Sequence, residues 1–299
     1  MAWALVTPSS RGIGFALTRH LLRTLPASVP VVATARSNVS ETKEKILSSL
    51  DVSGDQAARL DVRECDVLSE SSIARLAQQC KEEYNDRARN KAAHLRLAFV
   101  IPGMLVPEKA PDKVDYDAAL QTVKMNLIAP MMLVKHFSQF LPRKSATIVE
   151  HDGDDDDDGG NDSVDGTGGG GGDGRRRRSR RLLPRSAVLA LMSARVGSIG
   201  DNRLGGWYSY RASKAGLNQF VKSTDIYLKM QSAENAMCVG LHPGTVKTSL
   251  SEEFWQSTPK EKLFSPEFSA ERLIDVVVNH LKEDGRGKCW DWDGKEIPP

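Results

Sequence analysis

Tyr210 and Lys214 stand four residues apart in the run Trp207–Tyr208–Ser209–Tyr210–Arg211–Ala212–Ser213–Lys214–Ala215–Gly216. In a helix this spacing puts both side chains on one face, one turn apart. A phenol then lies beside an ammonium. The positive charge favours the phenolate and is expected to lower the tyrosine pKa from about 10. A tyrosine tuned toward neutrality can pass a proton to or from an alcohol or carbonyl oxygen. Amphipathic surface helices also carry such pairs, so the meaning of this one depends on what surrounds it.

A second group of residues could hold a phosphate. Pro8–Ser9–Ser10–Arg11–Gly12–Ile13–Gly14 is a turn between the apolar run Ala2–Thr7 and a helical stretch over Phe15–Leu22, where Ile13, Leu17 and Leu21 share a stripe. Strand, glycine turn and helix are the context of a dinucleotide fingerprint. Glycines let the backbone approach a pyrophosphate, whose charge meets the helix N-terminus. Here the spacing is Thr7-x(4)-Gly12-Ile13-Gly14 rather than G-x-G-x-x-G.

The second apolar run, Val29–Ala35, ends in Arg36. The end of the second strand meets the adenosine ribose in such folds, and a carboxylate there would accept the 2′-hydroxyl. Arg36 and Arg11 instead offer two guanidiniums to a 2′-phosphate, which favours NADP(H), with NAD(H) as second choice. Asp66 should end the third strand, where the adenine ring packs. Asn126 stands among apolar neighbours in a helical run, and a buried polar residue needs a partner.

These residues must be positioned by alternating elements. Strands are expected around Arg59–Val67, over Leu95–Ile101, Ala187–Met192 and Ala236–Leu241, and briefly at Lys288–Asp291. Helices are expected over 41–50, 68–84, 116–141 with an interruption near Pro130, 207–230 and 266–281. Asn85–His94 reads as a polar bridge. Apolar strands without alternation, separated by helices, predict an α/β, doubly wound parallel sheet covered on both faces. Ligands bind there at the carboxyl ends of the strands. The glycine turn, Arg36, Asp66, Ser193, Ser198 and the turn His242–Thr248 all fall at such ends, and Tyr210 starts the helix beside them.

At 299 residues and 40% hydrophobic content, the chain can build one large domain, and a net charge of +2 gives no sign of nucleic-acid binding. Cys65, Cys80, Cys238 and Cys289 are too far apart for a zinc ribbon or a CxxC site, so no metal is expected. They read as reduced thiols of a cytoplasmic protein. No secretory signal or membrane-spanning apolar run is recognised. Residues 151–186 hold the runs Asp154–Asp158, Gly168–Gly172 and Arg175–Arg178. Such a segment cannot bury enough apolar surface to offset its ordering entropy, so a disordered insertion is expected, on the rim opposite the chemistry.

Thr7–Gly14, Asp66–Val67, Asn126, Tyr210-x-x-x-Lys214 and Pro243–Gly244, in that order, resemble the short-chain dehydrogenase/reductase family over most of the chain outside the insertion. Ser193–Asn202 with Tyr210–Lys214 is similar to the branch that includes the bacterial C-signal protein and the insect sniffer carbonyl reductase. The resemblance implies a single-domain Rossmann fold with a seven-stranded sheet. It also implies an NADP(H)-dependent enzyme that interconverts a small carbonyl compound and an alcohol by hydride transfer. Tyr210 would be the general acid and base. Lys214 would hold the nicotinamide ribose hydroxyls and depress the Tyr210 pKa, and Asn126 would fix a relay water. Thr7, Ser9, Arg11, Gly12, Ile13 and Gly14 would serve the phosphates, with Asp66 and Val67 at the adenine. Pro243, Gly244, Val246 and Thr248 would meet the nicotinamide side, under a substrate lid of residues 249–265. A homodimer or homotetramer through the helices carrying Asn126 and Tyr210 is implied as well.

The chain departs from the family pattern at Thr7–Pro8, where Thr-Gly is usual, and at Val100–Ile101–Pro102–Gly103, in place of Asn-Asn-Ala-Gly. Ala194 stands where the second serine of a pair would bond the substrate oxygen, leaving Ser193 or Ser198 to supply the hydroxyl. With the insertion, these departures support an alternative: a non-catalytic NAD(P)-binding signalling or scaffold protein.

Overall fold

The computed structural model describes residues 1–84, 93–148 and 183–299. The first part of the chain alternates β1 (Ala2–Thr7), α1 (Gly12–Thr24), β2 (Val31–Ala35), α2 (Val39–Leu47), α3 (Gly54–Ala58), β3 (Leu60–Glu64), α4 (Glu70–Tyr84) and β4 (His94–Val100). There follow α5 (Tyr116–Val123), a π-helical turn (Lys124–Ile128), α6 (Ala129–Phe137), β5 (Ala187–Met192), α7 (Tyr208–Ser232) and β6 (Ala236–His242). The chain closes with β7 (Thr245–Val246), β8 (Leu263–Phe264), α8 (Pro266–Asp275), β9 (Cys289–Asp291) and β10 (Glu296–Ile297).

Eight strands form one sheet in the order β3-β2-β1-β4-β5-β6-β9-β10. All neighbours are parallel except β9 and β10. The doubly wound expectation holds, with one strand more than the seven implied. Asp291 explains the addition: its Oδ1 accepts from the Asp293 and Lys295 amides and turns the chain back as a hairpin. The strand order reverses between β1 and β4, which opens a crevice at their carboxyl ends.

Both sheet faces are buried, which explains the unbroken apolar strands. One core packs Val6, Phe99 and Val239 against Leu17 and Leu21 of α1 and Leu273 of α8. The other packs Leu5, Ala98 and Leu189 against Ile73 of α4, Leu133 of α6 and Leu217 of α7. The break expected near Pro130 lies just before it, in the π turn; Pro130 itself sits in the first turn of α6, where a missing N–H is tolerated. All four cysteines are free and buried.

Most of the expected insertion, and most of the polar bridge before β4, lie outside the described residues. Positions 183–186 do not behave as expected of that segment. Leu183 is buried in the first core, and Arg96 donates to the carbonyls of Pro184 at 2.6 Å and Arg185 at 3.2 Å. Ser186 Oγ donates to Glu234 O, and Asn235 donates to the carbonyls of Arg143 and Ala146. These contacts gather where β5 and β6 begin, at the opposite end of the sheet from Tyr210. Among the described residues no helix is long and apolar enough to cross a membrane.

Candidate active site

A cleft of about 1050 Å³ runs along the carboxyl ends of the strands. At one end are the glycine turn, Arg36 and Asp66; in the middle Lys214 and Tyr210; at the other end Trp207 and Phe254. Tyr210 lies in the first turn of α7 and Lys214 one turn on, and both are buried. Lys214 Nζ donates to Met192 O at 2.7 Å and stands 5.8 Å from the Tyr210 ring centroid.

The electrostatics correct one expectation. Burial pushes the Tyr210 phenol up to about 12 rather than down. Burial also pushes Lys214 down to about 8, partly offset by nearby Cys289. A charge pulled out of water loses hydration, and that loss sets both directions here. The Lys214 ammonium is turned to the Met192 carbonyl instead of the phenolic oxygen.

At the other end, Gly12 has φ +57°, and a side chain at Gly14 would overlap the Pro8 carbonyl and crowd Ile101. The turn can therefore close only around bare backbone. Helix α1 has no side-chain N-cap, and the Gly12–Ile13–Gly14 backbone that opens it lines the cleft. Arg11 and Arg36 are exposed along the same edge. Val67, Pro243, Gly244, Val246 and Thr248 line the cleft as expected, as does Asp66, whose Oδ1 caps the Leu68 amide. Thr7 and Ser9 do not line it. Thr7 Oγ1 accepts from Thr34 Oγ1 at 2.7 Å, and Ser9 Oγ donates to Val6 O at 2.7 Å. Both hydroxyls are buried and tie the turn to the sheet, because a hydroxyl taken out of water needs a partner.

Asn126 sits in the π turn and is fully buried. Its Oδ1 accepts from Met104 N at 2.8 Å, and its Nδ2 donates to Met104 O at 2.9 Å and Ser213 Oγ at 3.0 Å. It thus clamps the loop after β4 to α7 between Tyr210 and Lys214. π turns widen a helix and recur where a side chain must be re-aimed.

Neither candidate serine presents a free hydroxyl donor beside Tyr210. Ser193 lines the cleft, but its Oγ donates to Asn218 Oδ1. Ser198 lies outside the cleft; its Oγ accepts from Asp201 N at 3.0 Å and donates to Pro299 O at 3.3 Å. The loop folds back on the C-terminal residues, which takes Ser198 away. Ala194 lines the wall, with no hydroxyl to offer.

Glu108 escaped the sequence reading, which gave Trp207 and His242 a place but no role. Glu108 O accepts from Trp207 N at 2.7 Å, and Glu108 Oε2 accepts from Ser209 N at 2.8 Å. No local pattern announces a contact between residues so far apart in the chain. Trp207 borders Tyr210. His242 lines the cleft with a buried, unpartnered Nδ1; burial and Arg195 push it down to about 4, against Asp291.

The strand order and the crevice at its reversal define a doubly wound α/β fold. It is the fold of the short-chain dehydrogenases/reductases, among them carbonyl reductases. The chain superposes on the carbonyl reductase Sniffer of D. melanogaster with a TM-score of 0.72, 23% identity and all of both chains covered. With an NADPH-bound carbonyl reductase from chicken fatty liver the TM-score is 0.70, at 23% identity over 100% of this chain and 99% of that one. In sequence it is 37% identical, over 116 residues, to 1-hydroxy-2-glutathionyl-2-methyl-3-butene dehydrogenase of Rhodococcus sp. (strain AD45), covering 38% of this chain and 48% of that protein. It is 34% identical to C-signal of Myxococcus xanthus over 110 residues, 37% of this chain and 60% of that one. The match spans about half the length of these curated relatives. No family model matches the chain.

Proposed function

We propose that this protein is an NADP(H)-dependent oxidoreductase of the short-chain dehydrogenase/reductase family that interconverts a small carbonyl compound and its alcohol. One observation carries the reading: Tyr210 and Lys214 are buried together in a cleft whose far end is a glycine turn flanked by Arg11 and Arg36. The residues fit the cofactor. The Gly12–Ile13–Gly14 backbone that opens α1 lines the cleft with its N-terminal amides uncapped by a side chain, which suits phosphate oxygens, and the two exposed guanidiniums suit a 2′-phosphate.

When bound, NADPH supplies the hydride that reaches the carbonyl carbon. Tyr210 is protonated across the neutral range because burial holds its pKa up, and it gives its proton to the developing alkoxide. Lys214, pushed down to about 8 by burial, is held by Met192 O at 5.8 Å from the Tyr210 ring centroid, at the nicotinamide end of the proposed site. Asn126 is a positioning residue for the loop after β4 and for α7; the relay water of the family is assigned to this same corner. Residues 249–265 form the lid, and the whole chain acts as one catalytic domain in a reducing, cytoplasmic setting. Tyr116 on α5 and Ile226, Tyr227 and Met230 on α7 are exposed apolar residues suited to a homo-oligomer, which light scattering tests.

Purified protein should bind NADPH more tightly than NADH. It should oxidise NADPH with ketones, aldehydes or quinones, and Tyr210→Phe should lose about a hundredfold or more of that rate. Turnover unchanged in the variant would remove the mechanism. One observation favours a second reading, a dinucleotide-binding protein without catalysis: Ala194 offers no donor, and the hydroxyls of Ser193 and Ser198 are engaged elsewhere. Binding of NADPH without turnover of any carbonyl compound would select it.

A further inference from the structure

Residues Gly205, Gly206 and Trp207 carry φ of +64°, +65° and +51°. The left-handed region suits glycine, but for a bulky aromatic residue it is a strained outlier. Trp207 is held in it from several sides. Glu108 O accepts from its amide at 2.7 Å, and Glu108 Oε2 fixes Ser209 at 2.8 Å. Arg211 Nε donates to the carbonyls of Gly205 at 3.1 Å and Gly206 at 3.0 Å. Strain that the surroundings over-determine in this way concentrates at sites of function.

The strained corner presents the indole to the cleft, where it is partly exposed. Its ring stands edge-on to Tyr210, with centroids 6.2 Å apart and planes at 71°. It is tilted against Phe254 at 5.0 Å. Leu105, Met125, Val196 and Leu250 line the same cleft. Of the cations that line the cleft, Arg195 is neutralised by Asp201 at 2.7 Å and Asp291 at 3.0 Å, Lys214 is turned to Met192 O at 2.7 Å, and Lys247 lies over the Trp255 ring at 5.2 Å. The wall that Trp207 and Phe254 form is therefore largely apolar and carries two aromatic rings, which favours edge and offset contacts with a third.

We infer that Trp207 determines specificity, selecting neutral substrates whose carbonyl is attached to a planar aromatic ring. The inference rests on the reductase reading. In the productive arrangement the ring packs against Trp207 and Phe254 while the carbonyl oxygen meets Tyr210 Oη.

The test compares 2-acetylnaphthalene with dodecan-2-one, methyl ketones of equal carbon count, in the parent and in Trp207→Gly and Trp207→Phe. Trp207→Gly should lower the ratio of kcat/KM, aromatic over aliphatic, by about tenfold, and Trp207→Phe should keep most of it. Saturation-transfer NMR should show 2-acetylnaphthalene bound to the parent and lost from Trp207→Gly. The Tm of Trp207→Gly should fall only modestly, because relief of the positive φ offsets part of what is lost with the ring contacts to Tyr210 and Phe254. An unmoved ratio with unmoved binding overturns the inference. So does a large fall in Tm with both ketones declining in parallel, the mark of a merely structural tryptophan. Trp207-dependent binding of 2-acetylnaphthalene without any NADPH oxidation would sink the reductase reading while leaving the ring selection standing. Tyr210-dependent NADPH oxidation with an unmoved ratio would do the reverse.

Discussion

The Glu108 carboxylate accepts a hydrogen bond from the Ser209 amide at 2.8 Å, across 101 residues of chain. It supplies the first turn of α7 with a cap that the helix lacks locally, since Trp207 makes no side-chain cap bond. Tyr210 is the next residue. Glu108→Ala should leave a buried amide unpaired and cost about 1–3 kcal/mol. At about 2–4 °C per kcal/mol, calorimetry should show a melting point several degrees lower, with slower carbonyl reduction. Glu108→Gln keeps an acceptor and should lose markedly less.

Ala194 invites a gain-of-function substitution. Ala194→Ser adds a donor to the wall of the cleft that Tyr210 also lines. A hydrogen bond to the developing alkoxide contributes about 1–3 kcal/mol, so kcat should rise about ten- to a hundredfold. Ser193→Ala should change kcat far less, because that hydroxyl is spent on Asn218. Equal effects of the two substitutions would contradict this division of roles.

Cofactor choice should respond to the arginines. If Arg36 binds the 2′-phosphate as proposed, Arg36→Ser should weaken NADPH binding about tenfold and leave NADH within about twofold. Tryptophan fluorescence titration with each dinucleotide reads the two affinities.

His242 predicts a pH dependence of stability. Burial and Arg195 lower its pKa from 6.5 to about 4 in the folded protein, with Asp291 opposing. Between those values the unfolded chain binds a proton that the folded chain does not, so stability falls as pH drops through the window. His242→Gln should flatten the decline in melting point between pH 6.5 and 4. A decline as steep as in the parent would mean that other groups govern it.

Much of the fold was legible because apolar runs without alternation have few other solutions than a covered parallel sheet. The Tyr210–Lys214 spacing and the Gly12–Gly14 turn announced themselves locally, and both line the crevice expected of them. Thr7 and Ser198 have the right residue type near the right place, but a side chain's direction depends on which distant partner satisfies it. For Thr7 that partner is Thr34; for Ser198 it is the Pro299 carbonyl. Ser9 is instead turned away by a local bond to the Val6 carbonyl.

Sequence by itself determined the alternation of strands and helices and which residues could carry proton transfer and phosphate binding, because backbone periodicity and side-chain chemistry are local properties. Tertiary structure alone decided that burial pushes the Tyr210 phenol up rather than down, that Glu108 caps its helix, and that Trp207 is turned to the cleft. Burial depth and long-range hydrogen bonds exist only once distant segments meet.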